Sequence, residues 1–200
     1  TSGLTLGETA QSLAPEDKGL YRFRSESRST GPLSLLVNER IEETSLFLYR
    51  EGNIQPLEYR YKRQGRKKRT WKVLFHWDRG IAEIWGEKKR TLSIPPGSLD
   101  RLSFQIALMQ DLEKGKRTFA YSVVDRKKVR RYRFRVTGQE TLELPMGPVR
   151  ALRIEKEGSG KRKTVFWCAP ALAYLPVRIA YTEKDGRRFL SVLKSAVFQK

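Results

Sequence analysis

The chain of 200 residues contains one cysteine and one histidine. Cys168 has no partner within the chain, so neither an intrachain disulfide nor a CxxC metal or redox motif can form. His76 alone excludes a histidine-pair metal site. No apolar run approaches the roughly 18 residues that a membrane-crossing helix needs. GxSxG, HExxH, Walker and dinucleotide-binding motifs are missing. "GSGK" at 158–161 lacks both the upstream glycine and the Ser or Thr after the lysine, where Arg162 stands, and reads as a hairpin turn. Glu42 and Glu43 are adjacent on a strand and face opposite sides, which does not suit paired acid–base work. The sequence is therefore read as non-enzymatic, with no cofactor. No helix-turn-helix pair, zinc finger or RNP-type strand occurs either. Acids are scarce too, with 22 Asp and Glu against 41 Lys and Arg, a net charge of +19.

What is present is β structure. Apolar residues make up 38% and aromatics 10%, enough for a core and too much for a disordered chain. Turn signals such as "PEDKG", "EGN", "RQGRK", "DRG", "GEKK", "TGQ", "PMGP" and "EKDGR" separate runs of period two. Strands are predicted over 20–28, 40–50, 54–63, 68–78, 117–125, 129–137, 149–157, 162–168, 174–183 and 188–198. Trp71, Val73, Phe75 and Trp77 share a face that reads as core. "GPLSLLVNE" (31–39) reads as a loop or single helical turn. One helix is predicted over about 98–114, capped by Ser98 or Asp100, stopped by Gly115, and striped by Leu102, Ile106, Met109 and Leu112 with Phe104 and Leu108 beside them. The expected fold is a mainly β single domain (1–200): a curved antiparallel meander sheet or partial barrel with one packed α-helix. The chain opens on "TSGLTLGETAQSL" without initiator methionine or leader, as if inside a strand, and is read as processed or trimmed.

A charge excess of this size draws polyanions. In "VRRYRFRV" (129–136), Arg131, Arg133 and Arg135 alternate with Tyr132, Phe134 and Val136, so the strand has one cationic and one apolar face. "EYRYKRQ" repeats the pattern with Arg60 and Lys62. Such a face is either a solvated outer surface or a binding face. Hairpin tips add Arg66, Lys67, Lys68 and Arg69, then Lys88, Lys89 and Arg90, with further runs at 125–131 and 161–163. In a simple meander successive turns alternate between the two ends of a sheet. The tips at 64–69 and 87–90 are therefore predicted at the same end, as a cationic rim. Alternation places aromatics and cations on opposite faces, which weighs against single-stranded nucleic acid.

"GLTLGE" (3–8), "YRFRSESRSTGPLSLL" (21–36), "SLDRLSFQIALMQDLEKG" (98–115) and above all "VFWCAPALAYLPVRI" (165–179) carry a family resemblance. The chain resembles bacterial cell-envelope proteins known only as a domain of unknown function, family thirty-one-oh-eight. The resemblance implies export to the periplasm, a mainly antiparallel β architecture, and no catalytic residues to carry over. The function expected is recognition of an anionic envelope component through the cationic face and rim. Candidate partners are anionic lipid headgroups, lipopolysaccharide, an acidic polysaccharide or an acidic envelope protein. One alternative is a carrier of an apolar or lipid ligand between sheet and helix, lined by Trp71, Phe75 and Trp77. A nucleic-acid-binding protein is the other.

Overall fold

The structure, a computed structural model, describes residues 6–30, 38–158 and 162–198. Most of the expected 31–39 loop, residues 1–5, Lys161 and most of "GSGK" lie outside the described residues. The described strands are β1 (Gly7–Pro15), β2 (Leu20–Ser29), β3 (Arg40–Arg50), β4 (Asn53–Gln64), β5 (Arg69–His76), β6 (Ile81–Trp85) and β7 (Arg90–Ser93). After helix α1 (Ser103–Glu113) come β8 (Thr118–Val124), β9 (Val129–Leu144), β10 (Gly147–Glu157), β11 (Lys163–Ala169), β12 (Leu175–Thr182) and β13 (Arg188–Val192). The mainly β, antiparallel meander is as expected, with one α-helix among the described residues, and all ten predicted strands are present, the last ending at Val192 and not at 198. The short β6 and β7 and the continuation of β9 to Leu144 were not predicted, while the opening segment, read as lying inside a strand, contains β1.

The meander forms two sheets where one was expected. One runs β1-β2-β3-β4-β5-β6-β7 and the other β13-β12-β11-β10-β9-β8. The physical break is "IPPG": Pro95 and Pro96 have no N–H to donate to a ladder, and Gly97 turns the chain with φ +73°. Hairpins elsewhere keep the meander local. Arg50 pairs with Asn53 across Glu51 and Gly52, whose φ values of 52° and 77° are those of the type I′ turn that suits twisted strands.

The chain divides into two compact units, Thr1–Gln105 with Ser122–Arg130, and Ile106–Tyr121 with Arg131–Lys200. In the first unit, one face of the seven-stranded sheet buries Phe23, Phe47, Tyr59, Trp71, Val73, Phe75, Ala82 and Ile84. Tyr59 and Trp71 rings lie 5.0 Å apart, and Phe75 stacks on Trp77 at 5.7 Å. Trp77 belongs to the turn after β5 and is half-buried, donating its Nε1–H to Pro56 O at 2.7 Å. In the second unit Phe134 packs against Tyr121 (6.2 Å) and Phe166 (5.7 Å). Leu142, Leu144, Ala151, Ala169 and Val177 form an adjoining apolar cluster.

The helix begins later than predicted, and the reason is its cap. Asp100 Oδ1 accepts from the N–H groups of Leu102 (2.8 Å) and Ser103 (2.9 Å), while Ser103 Oγ accepts from Asp100 N–H at 2.9 Å. Leu102 thus lies in the turn before the helix, so a stripe counted from it does not project along α1. Leu108 and Leu112 are buried with Leu102, whereas Ile106 and Met109 are only half-buried, correcting the predicted stripe. At the other end Gly115 (φ +79°) donates to Leu112 O and Lys116 N–H reaches Asp111 O at 2.9 Å, the paired bonds of a Schellman stop.

Cys168 is fully buried, and burial pushes its thiol up to about 12. A disulfide-exchange reagent at pH 8 is expected to leave the folded protein unlabelled and to titrate one thiol after denaturation. Labelling at the native rate of a free thiol would contradict this packing.

Candidate functional site: a cationic rim

The seven-stranded sheet keeps a charged outer face opposite its aromatic core. Strand register lines up Arg24, Thr44, Arg60, Lys72 and Trp85 in one row, with Glu26, Glu42 and Lys62 in the next. Part of this charge is answered locally. Arg60 holds Glu58 through Nε (2.5 Å) and Nη2 (3.0 Å), and Arg40 bridges Glu26 (2.8 Å) and Glu42 (3.0 Å). Arg22 pairs with Glu16, whose carboxyl its guanidinium hydrogen bond holds below the ordinary range. The exposed Trp85 shares the outer face with lysines, contrary to strict alternation. Lys89 Nζ lies 4.1 Å and Lys72 Nζ 5.5 Å from its ring centroid, so cations already attend its π-face. Lys89 also reaches Glu83 at 3.3 Å. Exposed pairs of this kind contribute little energy, but they cancel charge.

The ends of the same sheet differ sharply. At one end, turns 65–68 and 86–89 carry Arg66, Lys67, Lys68, Lys88 and Lys89 with Glu87, and the β8–β9 turn (125–128) of the other sheet, part of the same compact unit, adds Arg126, Lys127 and Lys128 with Asp125. At the opposite end, turns 16–19, 51–52 and 77–80 carry Lys18 and Arg79 against Glu16, Asp17, Glu51 and Asp78. The expected co-location of the 64–69 and 87–90 tips follows from the consecutive antiparallel hairpins β4-β5-β6-β7. Glu39 fixes the first tip. It pairs with Arg63 at 2.5 Å and is bonded by the backbone of Arg66, and these contacts hold its carboxyl below the usual range. At Gly65 (φ +119°) a Cβ would lie 2.5 Å from Asn38 O, so only glycine admits this close approach.

Between the tips a cleft of about 180 Å³ opens, floored by Trp71 and Ile84 and walled by Arg69, Lys88, Arg90, Arg126 and Lys127. Among the described residues, Arg66, Lys67, Lys68, Arg69, Lys88, Arg90 and Lys127 make no ion pair, while Arg126 Nη1 lies 3.7 Å from Glu87 Oε2. Arg69, Lys88 and Arg90 thus come together as predicted, beside the exposed Arg66, Lys67 and Lys68. Lys89, Arg60 and Lys62 turn to the outer face instead. Arg126 and Lys127 were absent from the predicted set, although the basic run at 125–131 was their visible signal.

In the second unit Arg131, Arg133 and Arg135 are exposed while Phe134 is buried and Tyr132 and Val136 are half-buried, as alternation demands. Their neighbours on β10 are acidic: register sets Glu157 opposite Arg133 and Glu155 opposite Arg135. Arg131 and Arg133 line an open hollow of about 300 Å³ together with Glu157. Farther along this sheet Trp167 lies between Arg153 (6.0 Å) and Arg178 (5.7 Å), and its Nε1–H donates to Glu140 at 2.5 Å.

The ionisable groups of the first unit's interior are held by packing. Tyr59 donates to Glu43, and burial pushes its hydroxyl well above the ordinary tyrosine range. Arg101 Nε lies 3.6 Å from Glu43 Oε1. Glu42 and Glu43 face opposite sides, as predicted, with Glu43 turned inward. His76 is half-buried on the outer face, its Nε2 shielded without a hydrogen bond among the described residues. No group of three His, Cys, Asp or Glu residues that could hold a metal ion occurs among the described residues. No described helix is long and apolar enough to cross a membrane.

No curated protein matches the chain. Among solved structures it is similar to the crystal structure of a beta-barrel-like protein of domain of unknown function DUF1849 from Brucella abortus. That match has a TM-score of 0.60 and 12% identity, covering 94% of this chain and 86% of the other, which is a likeness of fold. The family model described as Protein of unknown function (DUF3108) matches residues 1–192, and the chain belongs to that family.

Proposed function

We propose that this protein is a periplasmic, non-enzymatic binding protein that recognises an anionic component of the cell envelope through the cationic rim of its first unit. One observation carries the reading: on the outer face Arg22, Arg28, Arg40 and Arg60 pair with glutamates, whereas turns 65–68, 86–89 and 125–128 of this unit carry eight cations with two acids. Like charges held together raise the free energy of the compact state, and a polyanion supplies the missing counter-charge. The arginine row of β9 supports the reading less, because Glu155 and Glu157 stand opposite it. The proposal therefore narrows from face and rim to the rim.

Cosedimentation with phosphatidylcholine vesicles, with and without phosphatidylglycerol, tests it. Retention is expected on the anionic vesicles alone. It should collapse between about 0.01 M salt, where the Debye length is about 30 Å, and about 1 M, where it is about 3 Å. Equal retention on both vesicle types, or none on the anionic ones at the lowest salt, would refute rim binding to anionic lipid.

A further inference from the structure

The rim cleft has features that a general basic coat does not need. Its walls come from three segments separated in sequence: Arg69 at the start of β5, Lys88 and Arg90 around the β6–β7 turn, and Arg126 with Lys127 on the β8–β9 turn. Three guanidinium groups and two ammonium groups therefore approach one hollow from different sides. The close approach of the β6–β7 turn to the floor depends on Gly86, where a Cβ would lie 3.2 Å from Trp71 Cβ and 3.6 Å from Thr70 O. The volume of about 180 Å³ is below the roughly 300 Å³ at which pockets for drug-sized ligands begin, so the hollow suits a headgroup and not a chain.

Among the described residues, the only acid on the walls is Glu87. Its side chain is 75% exposed and its Oε2 lies 3.7 Å from Arg126 Nη1, so it is an accessible carboxylate held only loosely by its partner. A carboxylate offers two coplanar oxygens and one charge, which a single guanidinium fork already satisfies. A phosphoryl group offers up to three terminal oxygens in a tetrahedral array with a charge of up to about −2, and accepts from several directions at once. Five cations converging from three segments match the second geometry.

We propose that this cleft is a phosphoryl-group site and that Glu87 is its resident counter-ion, released from Arg126 when the phosphoryl group enters. This rests on the rim reading and specifies the chemistry it recognises. The step is an exchange of ion pairs, with no bond made or broken.

Titration calorimetry at low salt tests the site with inorganic pyrophosphate, using a galacturonate oligomer as the carboxylate probe. Saturable binding of pyrophosphate at one site is expected, with the galacturonate oligomer at least tenfold weaker. The double substitution Arg90→Gln with Arg126→Gln should weaken pyrophosphate at least tenfold. Glu87→Gln should tighten it about fivefold, the scale of one screened charge pair near 4 Å in water. Glu51→Gln, which changes net charge equally at the other end of the sheet, should leave it unchanged. A galacturonate oligomer that binds as well as pyrophosphate, or equal effects of Glu87→Gln and Glu51→Gln, would overturn the proposal. Pyrophosphate that displaces the protein from phosphatidate vesicles identifies a lipid headgroup as the natural carrier. Saturable pyrophosphate binding without such displacement identifies a soluble phosphate, and either result supports the site. Salt-sensitive retention on anionic vesicles, combined with no saturable pyrophosphate binding, would retain the rim reading and sink the cleft.

Discussion

Asp100→Ala is expected to destabilise the protein by about 2–4 kcal/mol, read as a loss in the denaturant midpoint or thermal midpoint. Two costs add. The alanine leaves the first N–H groups of α1 without their acceptor, a loss of about 0.5–2 kcal/mol. It also strands the fully buried Ser45 hydroxyl, which donates to Asp100 Oδ2 at 2.6 Å, and an unsatisfied buried donor costs about 1–3 kcal/mol. Asp100→Asn should keep most of the stability, because its carbonyl oxygen can accept the same two N–H groups and its amide can donate to Ser45.

The pair of variants also separates hydrogen bonding from charge. Burial pushes the Asp100 carboxyl above the usual aspartate range, with the bonds from Ser45 and the helix start pulling the other way. A raised folded value means that the neutral form favours folding in acid. That contribution is lost as pH rises through the folded value, where the buried group must ionise. The stability of the asparagine variant should therefore gain on wild type as pH rises from the unfolded aspartate range towards neutrality. Equal loss in both variants would show that the cap and the Ser45 bond are not what the carboxylate supplies.

The same residue shows how far the sequence can be read. "SLDRLS" announces a helix start through its small polar residues, but not which of Ser98 and Asp100 caps; in the fold Ser98 Oγ donates to Pro95 O while Asp100 takes the helix N–H groups and a bond from Ser45, more than fifty positions earlier. Period-two patterns located most of the strands that bury an apolar face, since a slip of one residue would expose that face. The strands missed are the short or exposed ones. β7 is only four residues long and leaves little pattern, and β1, recognised only as a strand without bounds, carries little buried apolar surface. The division into two sheets turns on a pair of prolines, and prolines end a strand without saying whether the next strand rejoins the same sheet. For the rim, meander arithmetic placed two tips together. It could not place the 125–128 turn beside them, because that turn arrives after α1 through contacts distant in sequence. Nor does alternation reveal which cations are paired across strands: Arg40 and Arg66 look alike in the sequence, and only the pairing of β2 with β3 brings Glu26 beside the first.

Charge reversal at the first tip should produce the largest change in binding. Converting Arg66, Lys67 and Lys68 to Glu removes three exposed cations without an ion pair among the described residues and adds three anions at the mouth of the rim. A basic side chain near an anionic membrane surface contributes about 1 kcal/mol, so loss of three weakens retention at least about a hundredfold before repulsion is counted. The matched control reverses Lys18, Arg50 and Arg79 at the opposite end of the same sheet, an equal change in net charge on exposed positions. If total charge alone governed binding, the two triple variants would fail together. If the rim governs it, the control should retain most of its low-salt binding while the tip variant loses it, and both should keep the wild-type circular dichroism spectrum because neither touches the core. The salt slope adds a second reading. Each neutralised contact releases counterions, so the wild type and the control should share a steep dependence on salt, and the residual binding of the tip variant should be nearly flat. Parallel slopes for all three proteins would mean that the cations of 66–68 are a solvated coat and that the anion is held elsewhere.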